Sequence, residues 1–215
     1  MTYLLRVVLP DRPGMLGAVA TAIGEAGGDI VSLDVVERGP DGAVDDLLIQ
    51  LPPGGLADVL ITSAQSVPGV VVESLRPYLG ADDLHRDLEL VDELAANPAV
   101  GLKVLVDLAA GVFRAGWALV VSPDGVLEAS TSAPGLVGVD LSWLPLGTAR
   151  RVDAGEQWVP ERWASLGIEL MAAPVGAGDR VILIGRPGGP RFRASEVLRL
   201  AHLAGIAATV TSVRA

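Results

Sequence analysis

The chain has 215 residues, half of them apolar, and a formal net charge of −10. That acidity excludes a general nucleic-acid binder and an anionic-membrane binder, because both need basic surface. The absence of cysteine excludes disulfides, thiolate metal sites and a cysteine nucleophile. The length suggests one large domain or two small ones. Arg6 interrupts Leu4-Leu5 and Asp11-Arg12 follow at once, so no leader pattern opens the chain. No apolar run approaches the ~18 residues that cross a bilayer. A soluble cytoplasmic protein is the expectation.

The first segment, residues 1–78, reads as strand, helix, strand, strand, helix, strand. Strands are expected over 3–9, 29–38, 43–51 and 70–75. Helices are expected over 14–26, stopped by Gly27-Gly28, and over 56–66. Gly39-Pro40-Asp41-Gly42, Pro52-Pro53-Gly54-Gly55 and Pro68-Gly69 supply the breaks. This βαββαβ order predicts a ferredoxin-like fold, with both helices on one face of an antiparallel sheet. Val8, Val35, Leu48 and Val71 place apolar material in each strand, which points to a face or edge buried in a partner.

Residues 79–83 read as a polar hinge, too short for a free tether, so the two halves are expected to touch. In 84–215 a helix is expected over 84–95, with Leu84, Leu88, Val91 and Leu94 on one stripe. Asn97-Pro98 interrupts it. A second helix spans 99–113, with Leu102, Leu105, Val106, Ala109 and Phe113 at helical spacing. Strands at 117–121 and 126–131 flank Ser122-Pro123-Asp124-Gly125 as a hairpin. An irregular stretch, 132–165, holds Trp143, Trp158 and Trp163. A second hairpin joins 169–175 to 180–186 through Gly176-Ala177-Gly178-Asp179. A last helix spans 196–213, with Ser195 as its N-cap.

The stretch richest in chemistry is Asp11-Arg12-Pro13-Gly14-Met15-Leu16, between the first strand and the first helix. Proline suits a first helical position, where no N–H is needed. Gly14 lets the backbone lie bare beside a ligand. The helix start offers unpaired N–H groups and a partial positive charge to an anion such as a free carboxylate. The pattern resembles the ACT domain, a small regulatory module that usually binds amino acids. The resemblance implies that the N–H groups of Gly14, Met15 and Leu16 face an α-carboxylate. It implies that Asp11 and Asp29 flank the amino group, that Ile30 and Val31 add backbone contacts, and that Arg12 faces the ligand or a dimer partner. Many relatives carry Asn near position 29. Asp29, when ionised, only accepts hydrogen bonds, so the amide-donor role is lost here. The resemblance also implies a homodimer. On a plainer reading, Pro13-Gly14 only start the helix, Asp11 only caps it, and Asp29 is a turn residue.

The order of elements in 84–215 resembles a GAF domain: opening helices, a meandering antiparallel sheet, a variable centre and a closing helix. The motifs carrying it are the second hairpin and Phe192…Ser195-Glu196. The tryptophans are expected to fill core rather than line a ligand pocket. Asp41, Asp45 and Asp46 form an acidic run without EF-hand spacing, expected to be a solvated hairpin tip. His85 and His202 lie far apart, outside any metal spacing, and the serines lack a nucleophile-elbow context.

Together these features predict an α+β chain with an ACT-like unit (1–78), a hinge (79–83) and a GAF-like unit (84–215). The expected function is a non-catalytic amino-acid sensor, with no catalytic residue, no metal and no cofactor. The implied partners are a small-molecule ligand, a second copy of the chain and an unidentified protein, with no nucleic acid and no membrane. The alternative is a dimerisation or protein-interaction module without a small-molecule ligand.

Overall fold

The computed structural model describes residues 1–40, 42–78, 86–135, 140–176 and 179–212. The chain divides into two compact units, Met1–Leu84 and His85–Ala215. The first contains β1 (Thr2–Leu9), α1 (Met15–Glu25), β2 (Asp29–Gly39), β3 (Gly42–Gln50), α2 (Asp58–Gln65) and β4 (Val71–Pro77). The strands form one antiparallel sheet in the order β2-β3-β1-β4, the ferredoxin-like arrangement expected.

Strand pleating divides this sheet into two chemistries. Leu5, Val7 and Leu9 of β1, with Ala43, Leu47 and Ile49 of β3, join Met15, Val19 and Ile23 of α1. The four-residue spacing of the α1 residues puts them on one helix stripe. Leu60 and Ala64 of α2 complete that core. Arg6 and Asp46 leave the same strands on the opposite face and are 2% and 1% exposed. Arg6 Nε donates to Asp46 Oδ1 at 2.7 Å and Nη2 donates to Oδ2 at 2.8 Å.

The acidic run is therefore no solvated hairpin tip, at least for Asp45 and Asp46. Both sit inside β3, between β1 and β2, and both are buried. Asp41 lies outside the described residues. Two further expectations change. Pro13 is not the first helical residue, because Gly14, at φ 89°, is the N-cap and α1 starts at Met15. Asp11 makes no cap, since no side chain bonds the start of α1. Leu48 is buried, whereas Val35 and Val71, on the two edge strands, are exposed. Pro77 ends β4, and the Tyr78 N–H donates to the Thr2 carbonyl at 2.9 Å. The hinge 79–83, Leu84 and His85 lie outside the described residues.

In the second unit, α3 (Arg86–Ala96), a 3₁₀ turn (Pro98–Val100) and α4 (Gly101–Val112) precede β5 (Trp117–Ser122) and β6 (Gly125–Ala129). Then come β7 (Arg150–Val152), α5 (Glu161–Ser165), β8 (Ile168–Pro174), β9 (Val181–Pro187) and α6 (Ala194–Ser212). The strands form an antiparallel sheet in the order β6-β5-β9-β8-β7. Ala118, Val120, Met171, Ala173, Ile182 and Ile184 pack with Leu90, Leu94, Leu105, Val106, Leu200 and Leu203 of the helices. Of the stripe expected for α3, Leu94 is buried and Val91 packs against the core, whereas Leu88 is exposed and Leu90 is buried instead.

The order of helices, hairpin, irregular segment, hairpin and closing helix follows the expectation. The irregular segment also contains β7 and α5, two pieces too short for periodicity to reveal. Ser195 is inside α6 rather than its cap. Glu196 does the capping instead, accepting the Arg193 N–H at 2.8 Å and pairing with buried Arg186 at 2.6 Å. Ala177, Gly178 and Val213 lie outside the described residues. Among the described residues, no single helix is long and apolar enough to cross a membrane.

Two substitutions check these packings by urea unfolding. Arg6→Met takes two charge-assisted hydrogen bonds from the buried Asp46 carboxylate and is expected to cost about 3–5 kcal/mol, part of it recovered by adding Asp46→Leu. Gly185 of β9 faces Trp117 of β5, and a Cβ there would stand 2.1 Å from the indole. Gly185→Ala is expected to destabilise by about 1–3 kcal/mol through overpacking.

Candidate functional site

A cavity of about 330 Å³ opens where β1 gives way to α1. Asp11, Arg12, Pro13, Gly14 and Leu16 form its wall on the loop and helix side. Leu9, Ala43 and Asp45 line it from the central strands, and Arg38 from the end of β2. The loop is shaped by the left-handed backbone of Gly14, a conformation that side chains with a Cβ adopt only under strain. The first backbone bond of α1 runs from the Ala18 N–H to the Gly14 carbonyl at 2.9 Å. Among the described residues, the N–H groups of Gly14, Leu16 and Gly17 have no backbone acceptor. These are the orphan donors of a helix start, and they favour an anion.

Most of the expected loop residues meet at this cavity. Met15 does not line it: its side chain is buried in the core beside Val19, and its N–H, expected to face a carboxylate, donates to the Arg12 carbonyl at 3.4 Å. Asp29, Ile30 and Val31 stand elsewhere. Asp29 pairs with Gln50, which pairs with Thr2 at the start of β1. The cavity lies beyond Leu9, about 23 Å further along the strand at ~3.3 Å per residue. Within one chain, the loop and the start of β2 do not form a single site.

Two charged lining residues, Arg38 and Asp45, were not singled out by the loop motif. Arg38 is 65% exposed and its Nε stands 4.0 Å from Asp11 Oδ1, itself on a half-exposed side chain. Asp45 is 2% exposed, and its Oδ1 has no hydrogen-bond partner among the described residues. Burial pushes the Asp45 carboxyl above its ordinary pKa. Arg38 pulls it back, while Asp46 and Asp11 add to the rise. The signal in the sequence was alternation. Asp45 shares the strand face of Ala43, Leu47 and Ile49, where a carboxylate has no ordinary place.

The aromatic residues of the second unit pack as core. Trp117, Trp158 and Trp163 are buried with Leu119, Leu170 and Leu183 on the sheet face opposite α3, α4 and α6. Trp117 and Trp163 pack at 5.1 Å between ring centroids, and Trp143 stacks on Trp158 at 4.3 Å. Glu156 fastens this layer. It accepts from Arg150 at 2.5 and 2.8 Å, from Trp158 Nε1 at 2.8 Å and from the Asp153 N–H at 3.0 Å. The Arg150 hydrogen bonds, with those of Trp158 and Asp153, outweigh burial and lower the Glu156 carboxyl to about 2. A depressed carboxylate stabilises the fold above its unfolded value and stops doing so as pH falls through the folded one. Trp fluorescence is therefore expected to hold down to about pH 4.5 and to change as pH approaches 2, with Glu156→Gln removing that acid-side dependence.

No curated protein matches the sequence. Among solved structures, the chain is similar to the regulatory subunit of aspartate kinase from Thermus thermophilus in its ligand-free form, at 13% identity and TM-score 0.30, over 96% of this chain and 91% of that one. A bacteriophytochrome from R. palustris aligns at 15% identity and TM-score 0.42, over 85% of this chain. A formyltetrahydrofolate deformylase from Pseudomonas putida aligns at 13% identity and TM-score 0.31, over 47% of this chain. The chain spans 48% of the bacteriophytochrome and 39% of the deformylase. Residues 3–76 match the family model of the ACT domain. The sheet and two helices that build the cavity are thus the part of the chain that matches the ACT domain, and a second α/β unit follows them.

Proposed function

We propose that residues 1–78 bind an α-amino acid without catalysing its conversion, and that 84–215, a GAF-like unit, relays the bound state. The observation that carries this reading is the cavity at the bare start of α1, where Gly14 exposes backbone donors suited to a free carboxylate. The volume sits at the small end of ligand pockets, which run about 300–1,000 Å³. The residues are those of an ACT domain, and the ligand is read from that family's usual chemistry.

The same reading makes the working unit a homodimer. β2 is an edge strand with exposed Val31 and Val35. Edge strands offer unpaired N–H and C=O groups to another chain. Antiparallel pairing of β2 with its copy about a two-fold axis would bring Asp29, Ile30 and Val31 of one chain to the Arg38 end of the other. The two groups separated within one chain would then meet across the interface, with Asp29 accepting from the ligand. Binding that favours one subunit arrangement supplies the differential affinity a regulator needs. The signal passes to an unidentified protein.

Thermal unfolding and isothermal titration of the full chain with each common amino acid test this. At least one is expected to raise the midpoint, by the equivalent of ~2.7 kcal/mol at about 100-fold over Kd. All four tryptophans lie at or beyond position 117, so a ligand that raises the midpoint and also changes their emission supports the relay, whereas one that leaves emission unchanged supports binding in the first unit without it. Flat titrations at millimolar concentration with every amino acid, from a chain that sediments as a dimer, would favour the ligand-free dimerisation module instead.

A further inference from the structure

We propose that Asp45 is the residue that selects the ligand's positive group: the cavity takes an α-amino acid as a zwitterion, its ammonium on Asp45 Oδ1 and its carboxylate on the start of α1. This rests on the amino-acid reading above and assigns a role that neither Asp11 nor Asp29 fills as well. Asp45 is all but removed from water, yet Oδ1 has no partner, and it lines the cavity. A buried acceptor left unpaired destabilises the fold, the more so when it is charged. Its neighbour Asp46 shows what a structural carboxylate looks like in this strand, since Arg6 meets both of its oxygens. Asp45 lacks such an answer. A partner arriving with the ligand supplies it.

The competing carboxylates are placed less well. Asp11 is half exposed and faces Arg38 at the mouth, where water screens an ion pair to little value. Asp29 would reach the cavity only from the second copy in the dimer proposed above, and its side chain is exposed, so water screens its charge. A buried charge acts in a low dielectric and therefore discriminates strongly. The charged groups around Asp45 are Arg38, Asp46 and Asp11, with Arg12 in the same cavity wall. The raised Asp45 pKa agrees with a site that holds its charge at a cost until an ammonium arrives. A site built around such an acceptor rejects an analogue that leaves it unpaired.

The test uses the full chain, titrated at neutral pH with the common amino acids and with the 2-hydroxy acid of each one that binds. Asp45→Asn is expected to weaken binding about tenfold or more, and the hydroxy acid to bind the wild type more weakly by a similar factor. Asp11→Asn is expected to change affinity far less. Without ligand, Asp45→Asn is expected to melt higher than the wild type at neutral pH. A carboxyl whose folded pKa is raised loses stability as pH rises through that value, and Asn removes the loss. The difference should therefore shrink as pH falls toward about 4. An amino acid that binds Asp45→Asn as tightly as the wild type, or a hydroxy acid that binds equally well, overturns the role of Asp45 and leaves the amino-acid reading standing. A lower melting point for unligated Asp45→Asn also overturns it, because the carboxylate would then be structural. No binding by any amino acid to the wild type overturns the amino-acid reading, and this inference with it.

Discussion

Two consecutive carboxylates in the middle of a strand must leave it on opposite faces. That constraint of the pleat governs Asp45 and Asp46 in β3. Asp46 finds Arg6 across the ladder, and the pair is held by two hydrogen bonds away from water. Asp45 is sent to the helix side, where its neighbours on the face are Ala43 and Leu47. A slip of one residue would exchange the two and set Arg6 against the wrong partner. The apolar residues Ala43, Leu47 and Ile49 therefore fix the register that places a carboxylate beside the cavity, and in that register Arg6 answers Asp46.

The cavity itself follows from a second local constraint. β1 and β2 both run antiparallel to β3, so α1 must carry the chain back along the sheet. Its first turn consequently sits at the end of β1, beside Arg38 at the end of β2, and its last turn leads to Asp29 at the opposite end. Gly14 turns the chain into the helix, where the N–H groups of Gly14, Leu16 and Gly17 have no backbone acceptor among the described residues. Anion-favouring donors and an unpaired carboxylate thus share one small volume, which is the charge pattern of a zwitterion.

The second unit solves a different problem. Both faces of its sheet carry apolar side chains, so both need cover. Helices cover one face with ordinary aliphatic packing. The other is covered by a segment with little regular structure, and four tryptophans supply the area that periodic packing would otherwise provide. Glu156 gives that segment a polar anchor, and Gly185 makes room for the largest ring.

Periodicity and turn residues were enough to read the βαββαβ order, both hairpins and the closing helix, because each rests on interactions within a few neighbouring residues. The loop motif was legible for the same reason: Pro13, Gly14 and their flanks announce a helix start with exposed backbone. β7 and α5 were not legible, since a three-residue strand and a five-residue helix depend on what they pack against. The α3 stripe was legible in part: Val91 and Leu94 pack as expected, but the neighbouring helices take Leu90 rather than Leu88. The sequence by itself determined which residues could be inside and where the chain must turn. Only the tertiary structure decided that Asp29 lies far from the loop within one chain, that Asp46 is paired and that Asp45 is not. Those outcomes depend on strand register and on contacts across forty residues of chain, and no local pattern encodes such a distance.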